Sequence, residues 1–193
     1  MEHPKYYGLG VITNAHLFHQ CTDDRTCKDI QGDPLYACPI EENQIGNVAE
    51  FDLAEDWAFV PKMFYTPVDG LSNEIISSSY SVNGHVTQNG LEYMRDANET
   101  VHKYGKTTCY ESGTVTELDT QLGCAGTPCG KRVNVVRTSA NSEPGDSGGP
   151  LYREHDSYGV TTIVGIHEGG GAGMPAYYLN SKYGIEFTNN STC

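Results

Sequence analysis

Apolar residues in this chain gather in short, β-branched runs separated by polar, glycine-rich stretches, the pattern of strands and turns. Residues Gly8 to Phe18, G-L-G-V-I-T-N-A-H-L-F, predict a strand that ends at Ala15-His16. Trp57-Ala58-Phe59-Val60 predicts a second, compact strand opened by Asp56. Lys131 to Thr138, with Val133, Val135 and Val136, predicts a strand leading into the polar turn Asn141 to Pro150. Gly159 to Gly171 predicts a long β-branched strand ending in glycines. Between these runs, Cys21 to Asn47 reads as a polar loop insertion, and Thr66 to Thr100 as strands and loops across a domain junction. The tail from Ala176 to Gly184 predicts closure of the last sheet and a short helix.

Composition supports a turn-rich β protein over a helical bundle: 193 residues, 37% hydrophobic, with 13 Tyr and 22 Gly. That length suits one medium domain or two small ones sharing a core. No run is long enough to span a bilayer, and Met1 is followed by Glu-His-Pro-Lys, so no signal peptide is expected within these residues. The formal net charge of −13 argues against a basic face for nucleic acid or an anionic membrane, and solubility accounts for it. Seven cysteines point to an oxidising compartment, with one left over from pairing. The patterns N-E-T at Asn98, N-N-S at Asn189 and N-S-T at Asn190 are N-glycosylation acceptors and favour secretion.

The candidate chemistry lies in Asn141-Ser142-Glu143-Pro144-Gly145-Asp146-Ser147-Gly148-Gly149-Pro150. Such a cluster is by default a surface turn. Yet glycines on both sides of Ser147 allow backbone N–H groups to converge on one point, which suits a nucleophile with an oxyanion site built from the Gly145 and Ser147 N–H groups. Two other ligand chemistries are weaker. Zinc at His16, His19 and the nearby cysteines lacks the usual C-x₂₋₄-C spacing, and calcium at Asp23, Asp24, Asp29 and Asp33 lacks a loop-ligand pattern. No metal or organic cofactor is expected.

The string G-D-S-G-G-P resembles the nucleophile loop of chymotrypsin-like serine proteases, and E-P-G-D-S-G-G-P-L is similar to its streptogrisin-type bacterial branch. Thr13-Asn14-Ala15-His16 resembles the T-A-A-H segment of that family, with Asn14 in place of alanine, which implies that His16 is the general base. Asp56 stands where the family's D-x-A-hydrophobic pattern has its aspartate. The rival Asp52-Leu53-Ala54 is interrupted by the polar Glu55-Asp56. K-Y-G-K-T-T-C-Y-E-S-G-T-V from Lys103 is similar to K-x-G-x-T-T-G-x-T-x-G-x-V, which opens the second barrel of streptogrisins. Cys109 replaces a glycine there and is read as a disulfide end, while Cys124 and Cys129 would close their own loop. His85 and His102, which carry no motif, are read as surface or structural.

The resemblance implies an all-β fold: two antiparallel six-stranded Greek-key β-barrels with the active site in the cleft between them, and a short C-terminal helix. Residues 1–85 would form the barrel carrying His16 and Asp56, and residues 86–193 the barrel carrying Ser147 and the specificity pocket. Only fifteen residues precede His16, so the first barrel is expected to lack one or two N-terminal strands, either because they lie upstream or because the barrel is pared down. The implied activity is that of a secreted serine endopeptidase acting on peptides or proteins, with a protein inhibitor or an upstream propeptide segment as further partners. G-I-H-x-G-G at Gly165 to Gly170 resembles glutamyl endopeptidases and implies that His167 contacts an acidic side chain before the scissile bond, gaining charge at mildly acidic pH. Asn141, Glu168, Gly169 and Gly170 would complete that pocket, although Glu143 and Glu168 could repel an acidic substrate. A broad small-or-apolar preference stays level with the acidic one. An inactive homologue that binds proteins through the same cleft, or a processing protease cut from a polyprotein, are the alternatives.

Overall fold

The computed structural model describes residues 2–3, 8–18, 31–36, 44–52, 55–61, 78, 80–122 and 132–187. Two compact units divide the chain: Met1–Leu71 with Leu122–Arg132, and Ser72–Gln121 with Val133–Cys193. The paired-cysteine loop expected at Cys124 and Cys129, most of the insertion from Cys21, and the sequons at Asn189 and Asn190 lie outside the described residues.

The first unit contains β1 (Glu2–His3), β2 (Gly8–Thr13), a 3₁₀ turn (Ala15–Leu17), β3 (Pro34–Tyr36), β4 (Gln44–Asn47), β5 (Glu50–Asp52) and β6 (Trp57–Pro61). Among the described residues the strands are divided between a four-stranded sheet, in the order β1-β2-β6-β5, and a two-stranded β3-β4 ribbon. Residues Trp57 to Val60 are all buried, which is why this run reads as continuously apolar and not alternating. Ala15, Val48, Ala58 and Val60 form the core, with Phe18 and Phe51 packed against it. The antiparallel register sets Thr13 opposite Ala58 and Ile12 opposite Phe59. The residues just after β2 and just before β6 therefore meet at one end of the sheet.

The second unit contains β7 (Ser81–His85), α1 (Gln88–Asp96), β8 (Thr100–Gly105), β9 (Cys109–Leu122), β10 (Arg132–Thr138), β11 (Pro150–His155), β12 (Val160–Gly169), β13 (Ala172–Pro175) and α2 (Ala176–Tyr183). Strands β11-β8-β9-β10-β13-β12 follow one another, and β12 pairs back onto β11, closing a six-stranded barrel without free edges. β7 lies outside this ring, parallel to β12. Val86, Leu91, Met94, Val101, Val115, Val136, Leu151 and Val164 fill the core. Among the described residues no helix is long and apolar enough to cross a membrane.

One expectation needs correcting. The span read as strands and loops holds α1, capped by the Thr87 hydroxyl, which accepts from the Gly90 N–H at 3.1 Å. The string Gln88-Asn89-Gly90 looks like a turn, yet Leu91 and Met94, one helical turn apart, are buried and anchor the helix to the barrel. Cys109, read as a disulfide end, is exposed and has no disulfide partner among the described residues, which include no other cysteine. Its φ of 55° shows why a glycine suits this hairpin position.

Candidate active site

The strand-end meeting in the first unit places His16 beside Asp56. Asp56 is buried, at φ 55°, a left-handed conformation that aspartate tolerates better than most residues. Its carbonyl accepts from the Ala15 N–H at 3.2 Å and from Asn14 Nδ2 at 3.1 Å. Asn14, which departs from the alanine of the family pattern, thus braces the turn that carries the carboxylate. Asp56 Oδ2 lies 2.6 Å from His16 Nδ1, and Oδ1 accepts the His16 backbone N–H at 2.7 Å. With Nδ1 donating to the carboxylate, a neutral imidazole keeps Nε2 as its acceptor, the state a general base needs.

In the second unit the loop between β10 and β11 carries Ser147. Two backbone bonds fasten it to β12: Gly148 N–H donates to the His167 carbonyl and His167 N–H to the Gly149 carbonyl, both at 2.8 Å. The Ser147 hydroxyl donates to the Glu168 carbonyl at 2.8 Å. Gly145, at φ 104°, occupies backbone space closed to other residues. Among the described residues, neither the Gly145 nor the Ser147 N–H donates to another group of the protein.

Asp146, fully buried beside Ser147, holds this loop to the β8–β9 hairpin. Its Oδ1 accepts from the N–H groups of Thr107 at 2.8 Å and Thr108 at 3.0 Å. Its Oδ2 accepts from Lys103 Nζ at 2.6 Å, the Thr108 hydroxyl at 2.8 Å and the Glu143 N–H at 3.1 Å. Burial alone would raise the carboxyl's pKa, but Lys103 and the hydrogen bonds from Thr108 and Glu143 outweigh it and hold the group well below the usual carboxylate range. Lys103 is likewise fully buried and donates to Thr108 Oγ1 at 2.7 Å.

His167 is buried, with Nε2 2.7 Å from the Ser142 hydroxyl, and its Nδ1 has no hydrogen-bond partner among the described residues. Burial, then the Lys103 charge, push its pKa down to about 4 against a smaller upward pull from Asp146. The expectation that mild acid would charge this imidazole is therefore corrected: it is neutral there and offers a hydrogen bond. A bulge in the β12–β13 pairing falls between His167 and Gly169. Glu168 is buried, Gly169 partly covered, and Gly170, Asn141 and Glu143 are exposed.

Sequence reading passed over Ser142 and Lys103. Lys103 left a signal: Val101, Lys103 and Gly105 alternate inward along β8, so a lysine occupies a core register and needs an anion. Ser142 left none, because its partner is 25 residues away.

The chain is structurally similar to Thermobifida fusca protease A, at 20% identity over 92% of this chain and 83% of that one, with a TM-score of 0.61. It is equally similar to Cellulomonas bogoriensis chymotrypsin, at 22% identity over 93% and 87% with a TM-score of 0.61. For the Nocardiopsis protease the figures are 20%, 95%, 87% and 0.61. The chain has the chymotrypsin-like serine protease fold. No family model and no curated protein matches it. In this fold the barrel of the second unit carries Ser147 on a loop pinned by an internal ion pair.

Two outcomes follow from the charges. Replacing Lys103 with Met leaves the Asp146 carboxylate buried without its cation, and urea unfolding should show a loss of about 3–5 kcal/mol. His167 binds a proton at about pH 4 in the folded chain but near 6.5 when unfolded. Its neutral form therefore costs no stability above pH 6.5, and stability falls by on the order of 3 kcal/mol as pH drops from 6.5 to 4. Unfolding free energies of the wild type minus those of His167→Gln, measured across that window, should carry this slope.

Proposed function

We propose that this chain is a serine endopeptidase with His16, Asp56 and Ser147 as its triad. The observation that carries the reading is the doubly held histidine: one carboxylate grips both the ring Nδ1 and the backbone N–H of His16. That grip fixes the tautomer and orientation a general base requires, and the negative charge stabilises the imidazolium that forms. In the reaction, the Ser147 hydroxyl turns its proton from the Glu168 carbonyl to His16 Nε2 and attacks the peptide carbonyl carbon. The oxyanion is received by the N–H groups of Gly145 and Ser147. His16 then protonates the leaving amine, and water, activated by the same imidazole, releases the acyl group and regenerates Ser147.

A preference for glutamate before the scissile bond is the finer part of the proposal. The Ser142 hydroxyl and His167 Nε2 lie 2.7 Å apart and share one hydrogen bond; with neutral Nε2–H donating to Ser142 Oγ, the Ser142 hydroxyl proton is left for a substrate carboxylate. Nearby Lys103 adds positive potential, while Asp146 partly cancels it. Secretion, glycosylation and disulfide bonding belong to the same reading. They rest on seven cysteines and on Asn98, which stands exposed in its N-E-T pattern. A protein inhibitor or a propeptide would be natural partners of such a site.

Labelling with a fluorophosphonate probe tests the enzyme. The folded wild type should be labelled, Ser147→Ala not at all, and Asp56→Asn about 10⁴-fold more slowly. Failure to label the folded wild type would leave only a protein-binding homologue. Peptides differing only in the residue before the cleaved bond test the preference. Glu substrates should exceed Gln, Ala and Leu ones by at least about tenfold in kcat/KM, with the advantage lost in Ser142→Ala. Equal rates would defeat it.

A further inference from the structure

The β8–β9 hairpin reaches the nucleophile loop at a second point that the buried ion pair does not require. Thr107 Oγ1 donates to the Pro144 carbonyl at 2.8 Å. That carbonyl belongs to the same peptide unit as the Gly145 N–H, one of the two proposed oxyanion donors. In a trans peptide the C=O and N–H point in opposite directions, so drawing the carbonyl toward Thr107 turns the N–H away from the hairpin.

This orientation is not otherwise imposed. A peptide flips by compensating rotations of ψ on the residue before it and φ on the residue after it. Gly145 lacks the side chain that would block either orientation. The fixed ring of Pro144 restrains φ of residue 144 but not its ψ. Thr107 is also close packed on the loop: a Cβ added to Gly145 would lie 2.5 Å from Thr107 Oγ1. One hydroxyl is thus both the hydrogen bond that favours one orientation and the obstacle to a larger residue at 145.

We propose that Thr107 is a positioning residue that holds the Pro144–Gly145 peptide with its N–H turned toward the oxyanion of the transition state. This rests on the protease reading above and deepens it. Thr107 touches no reacting atom. Its backbone N–H donates to Asp146 independently, so the side-chain bond can be removed while the carboxylate clamp stays in place.

Thr107→Val keeps the shape and the backbone donor but lacks the hydroxyl, and Thr107→Ser keeps the hydroxyl. An oxyanion donor acts only when charge develops, so Thr107→Val should lower kcat by about three- to tenfold, the worth of one exposed hydrogen bond, with KM unchanged. Fluorophosphonate labelling should slow by a similar factor, and a peptidyl boronate should bind correspondingly more weakly. Thr107→Ser should restore all three. Thermal unfolding of each variant, run alongside, identifies the temperature at which all are folded, and the kinetics are taken there. Thr107→Val with unchanged kcat and boronate affinity would overturn the proposal, as would a loss that Thr107→Ser does not rescue. Both are distinct from failure of the protease reading itself, in which the wild type would not be labelled.

Discussion

The second unit depends on one buried ion pair. Lys103 and Asp146 are both withdrawn from water, and two isolated charges in that position would cost several kcal/mol each. The cost is offset because both oxygens of the carboxylate are filled by donors, among them two consecutive backbone N–H groups at Thr107 and Thr108. Those donors come from a hairpin about forty residues away in sequence, so satisfying Asp146 ties that hairpin to the loop. Ser147 is the next residue, and its backbone cannot move without breaking that set. The pair therefore converts a flexible Gly-rich string into a fixed one.

A different solution operates in the first unit. His16 and Asp56 need no buried cation, because antiparallel pairing of β2 with β6 already brings two strand ends together. The imidazole is partly exposed, while its carboxylate partner is buried and held by the backbone turn beneath it. His167 is the second histidine of interest and obeys the opposite rule. It is sealed in, near a lysine, and stays neutral, so it can only present a hydrogen bond. Two environments thus assign distinct electrostatic roles to two residues of the same type.

Strands with a simple burial pattern were legible. Trp57 to Val60 and the run from Val160 are apolar because both are buried over most of their length, and each was expected within a few residues of where it lies. That His16 lies beside Asp56 and that Ser147 stands on a glycine-rich loop was legible because these residues sit in short local strings whose geometry is set by adjacent strand ends or glycines. Helix α1 was not, since its opening residues mimic a turn and its two anchors acquire meaning only against the barrel.

By itself the amino-acid order determined strand periodicity, the polar turn around Ser147 and the types of residue able to perform acyl transfer, because these are local consequences of side-chain chemistry and backbone freedom. Only the tertiary structure decided that Lys103 points inward at Asp146, that Ser142 meets His167, and that Thr107 reaches Pro144. Such pairings join segments separated by tens of residues. Strand register and barrel closure set their distances, and no local propensity encodes either.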